Sequence, residues 1–254
     1  MIEGAPQAIG MIYAIVAVIL LAVLFITGRF NRKIGYIFLG VSTILGFLVF
    51  APMLPIQMQV LLMGQARQLG VPIAMAVLVL VVFVVITFIL GRVFCGYVCP
   101  IGAVQELVYR IRTKKLMIKN KAVLLGFRLF FLLAFVILAI VFSVGLLNYI
   151  GVREFFHLEL SGYFFVFLAV VIISVFIYRP FCRILCPYGA ILSLVAGKSR
   201  FGMKRSDKCI VCETCEDVCP TGEAGVDDWK QECYLCDRCR DACPHNAIEY
   251  TRRS

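Results

Sequence analysis

The stretch VPIAMAVLVLVVFVVITFILGRVFCGYVCPIGA, residues 71–103, decides the fold. From Pro72 to Leu90 it holds no charged side chain, and it is long enough to cross ~30 Å of hydrocarbon as a helix. It then runs through Gly91 and Arg92 into Cys95, Cys99 and Pro100. Four other segments repeat the apolar pattern: Ile9 to Thr27, Ile34 to Phe50, Phe127 to Leu147 and Gly162 to Tyr178. Together they predict an all-α polytopic membrane bundle of about five transmembrane helices. Composition agrees: the 254-residue chain is 62% hydrophobic and 16% charged, where soluble domains carry about 25% charge.

The net charge of +10 is unevenly placed. Residues 207–254 hold 11 acidic and 6 basic side chains, so the excess of positive charge lies upstream. It sits in short loops: Arg29, Arg32 and Lys33; Arg92, Arg110, Arg112, Lys114, Lys115, Lys119 and Lys121; Arg179, Arg183, Lys198 and Arg200. The alternate loops are poor in it, with Arg67 in one and Arg153 in another. Basic loops beside apolar spans set topology, which argues against a nucleic-acid partner. The expected location is the cell (inner) membrane, multi-pass, with the N-terminus outside and the C-terminus in the cytoplasm. The loop Ala51–Val71, with Pro52 and Pro55, reads as an interfacial segment or a plain connector.

The motif after the third span recurs after the fifth. Phe94-Cys95-Gly96-Tyr97-Val98-Cys99-Pro100-Ile101-Gly102-Ala103 and Phe181-Cys182-Arg183-Ile184-Leu185-Cys186-Pro187-Tyr188-Gly189-Ala190 both read F-C-x3-C-P-x-G-A. A helical continuation is expected after each. For Cys95, Cys99, Cys182 and Cys186 three readings stand: a joint site for a further metal or cluster, redox dithiols or a copper(I) site, and helix-end cysteines that only pack.

The tail is more specific. Cys209-x2-Cys212-x2-Cys215-x3-Cys219-Pro220 is repeated as Cys233-x2-Cys236-x2-Cys239-x3-Cys243-Pro244. This is the bacterial ferredoxin run, twice over: three close thiolates hold one corner of a cubane and the fourth reaches the other cluster. The crossed sets are Cys209, Cys212, Cys215 and Cys243 for one [4Fe–4S] cluster, and Cys233, Cys236, Cys239 and Cys219 for the second. Zinc needs neither the third cysteine nor the C-P ending. The chain thus divides into residues 1–200, a transmembrane domain with two C-x3-C-P motifs, and residues 201–254, a small cytoplasmic α+β ferredoxin domain. In that domain Ala247–Tyr250 reads as a closing strand, Trp229 as a packing residue, and Arg252 and Arg253 as solvated charges.

With these motifs in hand, the chain resembles the membrane ferredoxins of the quinol-dehydrogenase type, such as the NapH-type subunit of periplasmic nitrate reduction. Related modules occur in the nitrous-oxide-reductase maturation flavoprotein and the cytochrome-oxidase assembly ferredoxin. The likeness covers about Pro72 to Tyr250, and it departs in span count, five here against the four usual there. It implies quinol oxidation or electron supply to a partner, cluster ligation by Cys209 to Cys243, and a redox role for Cys95, Cys99, Cys182 and Cys186.

The functional expectation is an electron-transfer protein in the lipid bilayer. It would relay electrons between a quinol pool, or another membrane carrier, and a redox partner protein on the cytoplasmic side or within a membrane complex. A subunit of an oxidoreductase complex fits better than a free-standing enzyme, because no nucleotide fingerprint or acid–base constellation is visible. One alternative is an accessory copper reductase or metalloenzyme assembly factor using the C-x3-C-P cysteines. The other is a redox-sensing regulatory membrane protein. The two histidines, His157 and His245, fall outside every span, which excludes a bis-histidine haem in the bundle. A quinol site is expected near Tyr97, Arg183 and Tyr188.

Overall fold

A computed structural model describes residues 4–51, 53–65, 72–118, 120–226 and 228–253, with side chains from Ile9 onward. Pro52, Arg67, Val71 and Lys119, named above, lie outside the described residues.

The bundle opens with α1 (Gly4–Ile26) and α2 (Arg32–Val49), followed by the short α3 (Leu54–Leu62) and α4 (Ile73–Leu90). Where an interfacial segment or connector was expected, residues 54–62 are helical, with Pro55 in the first turn, where its missing N–H costs nothing. A π-helical turn, Phe94–Val98, then leads into α5 (Pro100–Tyr109), and α6 (Lys121–Val141) follows. After it come α7 (Leu146–Ile150), α8 (Val152–His157) and α9 (Gly162–Ile173). A second π-helical turn, Phe181–Leu185, leads into α10 (Pro187–Ala196).

Among the described residues, four helices are long and apolar enough to cross a membrane: residues 9–26 of α1, then α2, α4 and α6. The fifth expected span is different. Its helix α9 has 12 residues, about 18 Å of rise, and cannot cross alone. This part of the chain is instead built in pieces, α7, α8 and α9. Gly145 and Gly151 break it at one end: a Cβ at Gly151, which has φ +76°, would collide with the Tyr163 carbonyl. Gln59 of α3 fills the break, accepting from Leu147 N–H at 2.7 Å and donating to Asn148 Oδ1 at 3.2 Å. At the other end Ser174 closes α9, and the backbone tightens to Ile177.

The two π turns and their helices fold back into the bundle as hairpins. Both helices start on proline at the first position, after a cysteine in extended conformation. α5 packs along α2: Gly46 lies against Pro100 at its start and Tyr36 under Arg110 at its end. α10 lies along α4, its Tyr188 hydroxyl donating to the Leu80 carbonyl at 2.8 Å while Arg200 N–H meets the Phe88 carbonyl. Cys99 and Cys186 therefore sit about ten residues, or ~15 Å, inside the bundle from the end where α4 stops.

The C-terminal region begins with β1 (Phe201–Arg205), continues through the short turns α11 (Thr214–Asp217) and α12 (Arg238–Ala242), and ends in β2 (Ile248–Arg252). The strands pair antiparallel, with Met203 opposite Tyr250 and Arg205 opposite Ile248. The region docks on the bundle through buried polar bonds: Tyr97 donates to the Leu235 carbonyl and Tyr250 to the Leu90 carbonyl. Two readings are corrected. Trp229 is 72% exposed, at an open groove it lines with Lys121, Asp228 and Gln231, so it does not pack in the small domain. Arg253 is not a free tail charge: its guanidinium donates to the Ala196 and Trp229 carbonyls and helps hold the sheet to α10.

Candidate redox centres

All twelve cysteines are free, and they sort into three sets of four around three cavities. Cys95, Cys99, Cys182 and Cys186 line a cavity inside the bundle, with Phe94, Phe181 and Tyr188 as its apolar walls. Cys219, Cys233, Cys236 and Cys239 line a second, where the small domain meets the bundle. Cys209, Cys212, Cys215 and Cys243 line a third, on the outer side of that domain. Among the described residues no three His, Cys, Asp or Glu side chains converge tightly enough for a single metal ion. Each set instead surrounds a shared space, as the ligands of a multi-atom cluster do.

The donor sets suit an anionic cluster. Gly189 N–H donates to Cys186 Sγ at 3.1 Å and Gln105 Nε2 to Cys182 Sγ at 3.5 Å. Cys99 and Cys186 stand at the N-termini of ten-residue helices, where the dipole favours thiolate. In the tail, Glu223 N–H donates to Cys219 Sγ and Ala247 N–H to Cys243 Sγ, both at 3.3 Å. Tyr234 Oη and Arg238 Nη1, which line the second cavity, are buried donors without a protein partner. Burial pushes the Cys233 thiol up to about 12, and raises Cys236 and Cys239 as well. Such thiols ionise when a cation displaces the proton, which is the chemistry iron supplies.

Two carboxylates tie the second cavity to the bundle. Glu232, beside Cys233, takes Arg92 at 3.0 Å, Arg128 at 2.6 Å and Arg183 at 3.2 Å. Glu106 on α5 takes Arg179 at 3.1 Å, Arg238 of the small domain at 2.7 Å and Arg110 at 3.5 Å. Burial alone would raise the Glu232 pKa, but the guanidinium groups outweigh it and hold the carboxyl below its ordinary range. Six arginines meet two carboxylates here. That surplus of positive charge, largely shielded from water, favours anionic occupants for the neighbouring cavities.

Arg92, Arg179 and Arg183, read as topology-setting loop charges, are at most 2% exposed and serve this docking. The sequence reading passed over Glu106 and Arg128. Their signals were present: Glu106 is the only acidic residue between Glu3 and Glu154, and Arg128 is the one charge in the apolar stretch Phe127 to Leu147. The repeat also extends upstream of Phe94 and Phe181, since Arg92 and Arg179 both stand three residues before the first cysteine of their halves. Of the residues expected to flank a quinol, Tyr97 and Arg183 are committed to docking. Tyr188 alone faces an apolar groove on the bundle surface, with Met58, Val77, Leu80, Val81, Val84 and Ile191. His157 lies tilted against Phe50 at the opposite end, 4.9 Å between rings.

Comparison with known proteins bears on the same segments. Residues 72–119 and 160–206, the two C-x3-C-P halves, each match the family described as "4Fe-4S binding domain". The chain is 34% identical over 161 residues to protein MJ0750 of Methanocaldococcus jannaschii, covering 56% of this chain and 63% of the relative. It is 29% identical over 168 residues to YccM of Escherichia coli, whose name carries the words electron transport, covering 58% and 46%. The methylamine utilization ferredoxin-type protein MauN of Methylobacillus flagellatus is 28% identical over 143 residues, covering 51% and 48%. The chain thus spans less than two thirds of these relatives. No solved structure matches it. These similarities support iron–sulfur electron transfer at a membrane.

Proposed function

We propose that this protein carries electrons between a lipid-soluble carrier of the quinol class and a redox partner on the side of the small domain, through three iron–sulfur sites in series. The observation that carries the reading is the sorting of twelve cysteines into three fours, one inside the bundle, one at the domain junction and one at the rim. The innermost set is Cys95, Cys99, Cys182 and Cys186. Cys219, Cys233, Cys236 and Cys239 follow, and Cys209, Cys212, Cys215 and Cys243 come last. A bound cluster in each supplies one-electron chemistry. The chain's own residues fix the order, exclude water from the inner sites and provide N–H and O–H donors to sulfur.

The entry end is the groove at Tyr188, which walls both the bundle surface and the four-cysteine cavity. The exit end is the third set, where Cys212 is exposed and flanked by Ile210 and Val211, 62% and 63% exposed. An apolar patch in an acidic domain suits a partner with a basic rim around its own redox centre.

Anaerobic iron and acid-sulfide analysis tests the count. The wild-type protein should hold about twelve irons and the Cys95/Cys99/Cys182/Cys186 quadruple Ser variant about eight. Eight in both would remove the inner cluster; copper bound by the wild type alone would then favour the metal-reductase alternative. Tyr188→Ala should slow cluster reduction by duroquinol at unchanged iron content, and an unchanged rate would move the entry site elsewhere.

A further inference from the structure

The two halves of the bundle contribute a matched pair of arginines. Arg92 and Arg179 stand at equivalent places in the repeat, and each crosses to the backbone of the other half. Arg92 Nη2 donates to the Gly189 carbonyl at 3.3 Å. Arg179 donates to the Cys95 carbonyl, and at 2.7 Å to that of Gly96. Both guanidinium groups also lie over one ring of the small domain, that of Tyr234, at 4.2 and 4.8 Å from its centroid.

Tyr234 is 2% exposed and sits between Cys233 and Cys236 in the docked cysteine run. Its backbone presses on the other motif, because any Cβ at Gly96 would collide with the Tyr234 carbonyl. Arg92 is in the wall of the four-cysteine cavity, and Tyr234 is in the wall of the junction cavity. The two sets therefore share a partition, and the Arg92–Tyr234 stack is part of it. The ring's hydroxyl has no partner in the protein.

We propose that Tyr234, held under Arg92 and Arg179, is the contact through which electrons pass between the Cys95/Cys99/Cys182/Cys186 site and the Cys219/Cys233/Cys236/Cys239 site, and that the two arginines set the potentials on either side of it. This rests on the reading that both sets hold iron–sulfur clusters. The step is one electron leaving a reduced cluster for an oxidised one; no bond forms and no proton moves. Tunnelling decays steeply with distance and more steeply across gaps than through packed atoms, so a ring filling the partition shortens the effective path. The positive charges beside it stabilise the reduced, more anionic form of each neighbour. Tyr234 and the arginines are positioning residues: Tyr234 and Arg92 line the cavities without ligating anything in them, and Arg179 acts through the Tyr234 ring and the Cys95 and Gly96 carbonyls.

The test uses the full-length protein in detergent, reduced with dithionite and followed by freeze-quench EPR. Electrons enter at the exposed rim, and the signal missing from the quadruple Ser variant reports arrival at the inner site. Tyr234→Leu should delay that arrival at least tenfold with iron content unchanged, while Tyr234→Phe, which keeps the ring, restores the wild-type rate. Arg179→Gln should lower the midpoint potentials of the two flanking clusters and leave the rim cluster where it was. Gly96→Ala, which displaces Tyr234 from the bundle side, should delay arrival as Tyr234→Leu does and replaces it if that variant loses iron. Wild-type arrival in a fully loaded Tyr234→Leu or Gly96→Ala protein overturns the proposal. So does a Phe variant as slow as Leu. Absence of an inner-site signal in the wild type overturns the cluster reading instead, and the iron count separates the two failures.

Discussion

The two cysteine runs of the tail have the same spacing and nearly the same backbone, yet they end in opposite surroundings. Val211 and Leu235 both take φ near +55°, and Glu213 and Asp237 follow at +60° and +65°. In the first run Ile210 and Val211 are more than 60% exposed; their counterparts Tyr234 and Leu235 are 2% exposed against the bundle. The same loop geometry is thus an open rim in one copy and a packed interface in the other. What differs is the chemistry at the edges. Glu232 just before Cys233 and Arg238 after Cys236 meet complementary charges on the bundle, whereas Glu216 of the first run pairs with Arg205 of its own domain. The loop geometry comes with the cysteine spacing, and whether a run docks or stays open comes from a few flanking charges.

The largest expected effect is on the docked run. Glu232→Gln leaves Arg92, Arg128 and Arg183 without their shared counter-charge in a buried setting. Losing one partner of such a group costs about 3–5 kcal/mol. Limited proteolysis and hydrogen exchange should show residues 201–253 released from the bundle, and protection equal to wild type would mean the hub does not hold the domain. The sign with pH follows from the depressed Glu232 pKa. Its stabilisation is complete above the ordinary carboxylate pKa and is lost as pH falls through the lower folded value. Acid should therefore loosen docking in the wild type and add little in the variant.

The second effect separates the sites by access. A chelator under oxidising conditions should strip about four irons quickly, from the set containing exposed Cys212, and the remainder slowly. Cys212→Ser should abolish the fast phase and spare the slow one. If the fast phase survives, the rim is not the exposed end of the chain of sites.

Much of this molecule could be read from the order of its residues. The four long apolar helices and the duplicated C-x3-C-P motif rest on local periodicity or spacing, which a single sequence displays. The broken fifth segment was harder, because residues 162–178 are as apolar as a true span. Only the tertiary contacts of Gly145, Gly151 and Gln59 reveal why the helix stops. The buried arginines were read as loop charges because a basic residue beside a span looks alike whether it faces water or Glu232. Which run docks was illegible for a similar reason: Ile-Val and Tyr-Leu are both apolar pairs, and the partner surface lies about 140 residues upstream, at Arg92 and Gly96.

A smaller effect sharpens the contrast at one bond. Tyr97 donates to the Leu235 carbonyl at 2.8 Å, fixing the docked loop at the position whose counterpart, Val211, is 63% exposed. Tyr97→Phe keeps the ring against Phe30 and Phe25 but leaves a buried carbonyl unpaired. The expected loss is about 1–3 kcal/mol, read as faster hydrogen exchange around Leu235 with iron content unchanged.

The smallest effect belongs to the exposed run. Arg205 and Glu216 are 2.5 Å apart, but the Glu216 side chain is 44% exposed and water screens the pair. Surface ion pairs of this kind contribute about 0–1 kcal/mol. Glu216→Gln should leave the melting temperature within about 4 °C of wild type and the rim cluster intact. A loss as large as that of Glu232→Gln would mean that charge pairs hold both runs equally. The difference between rim and interface would then have to come from the apolar residues between the cysteines.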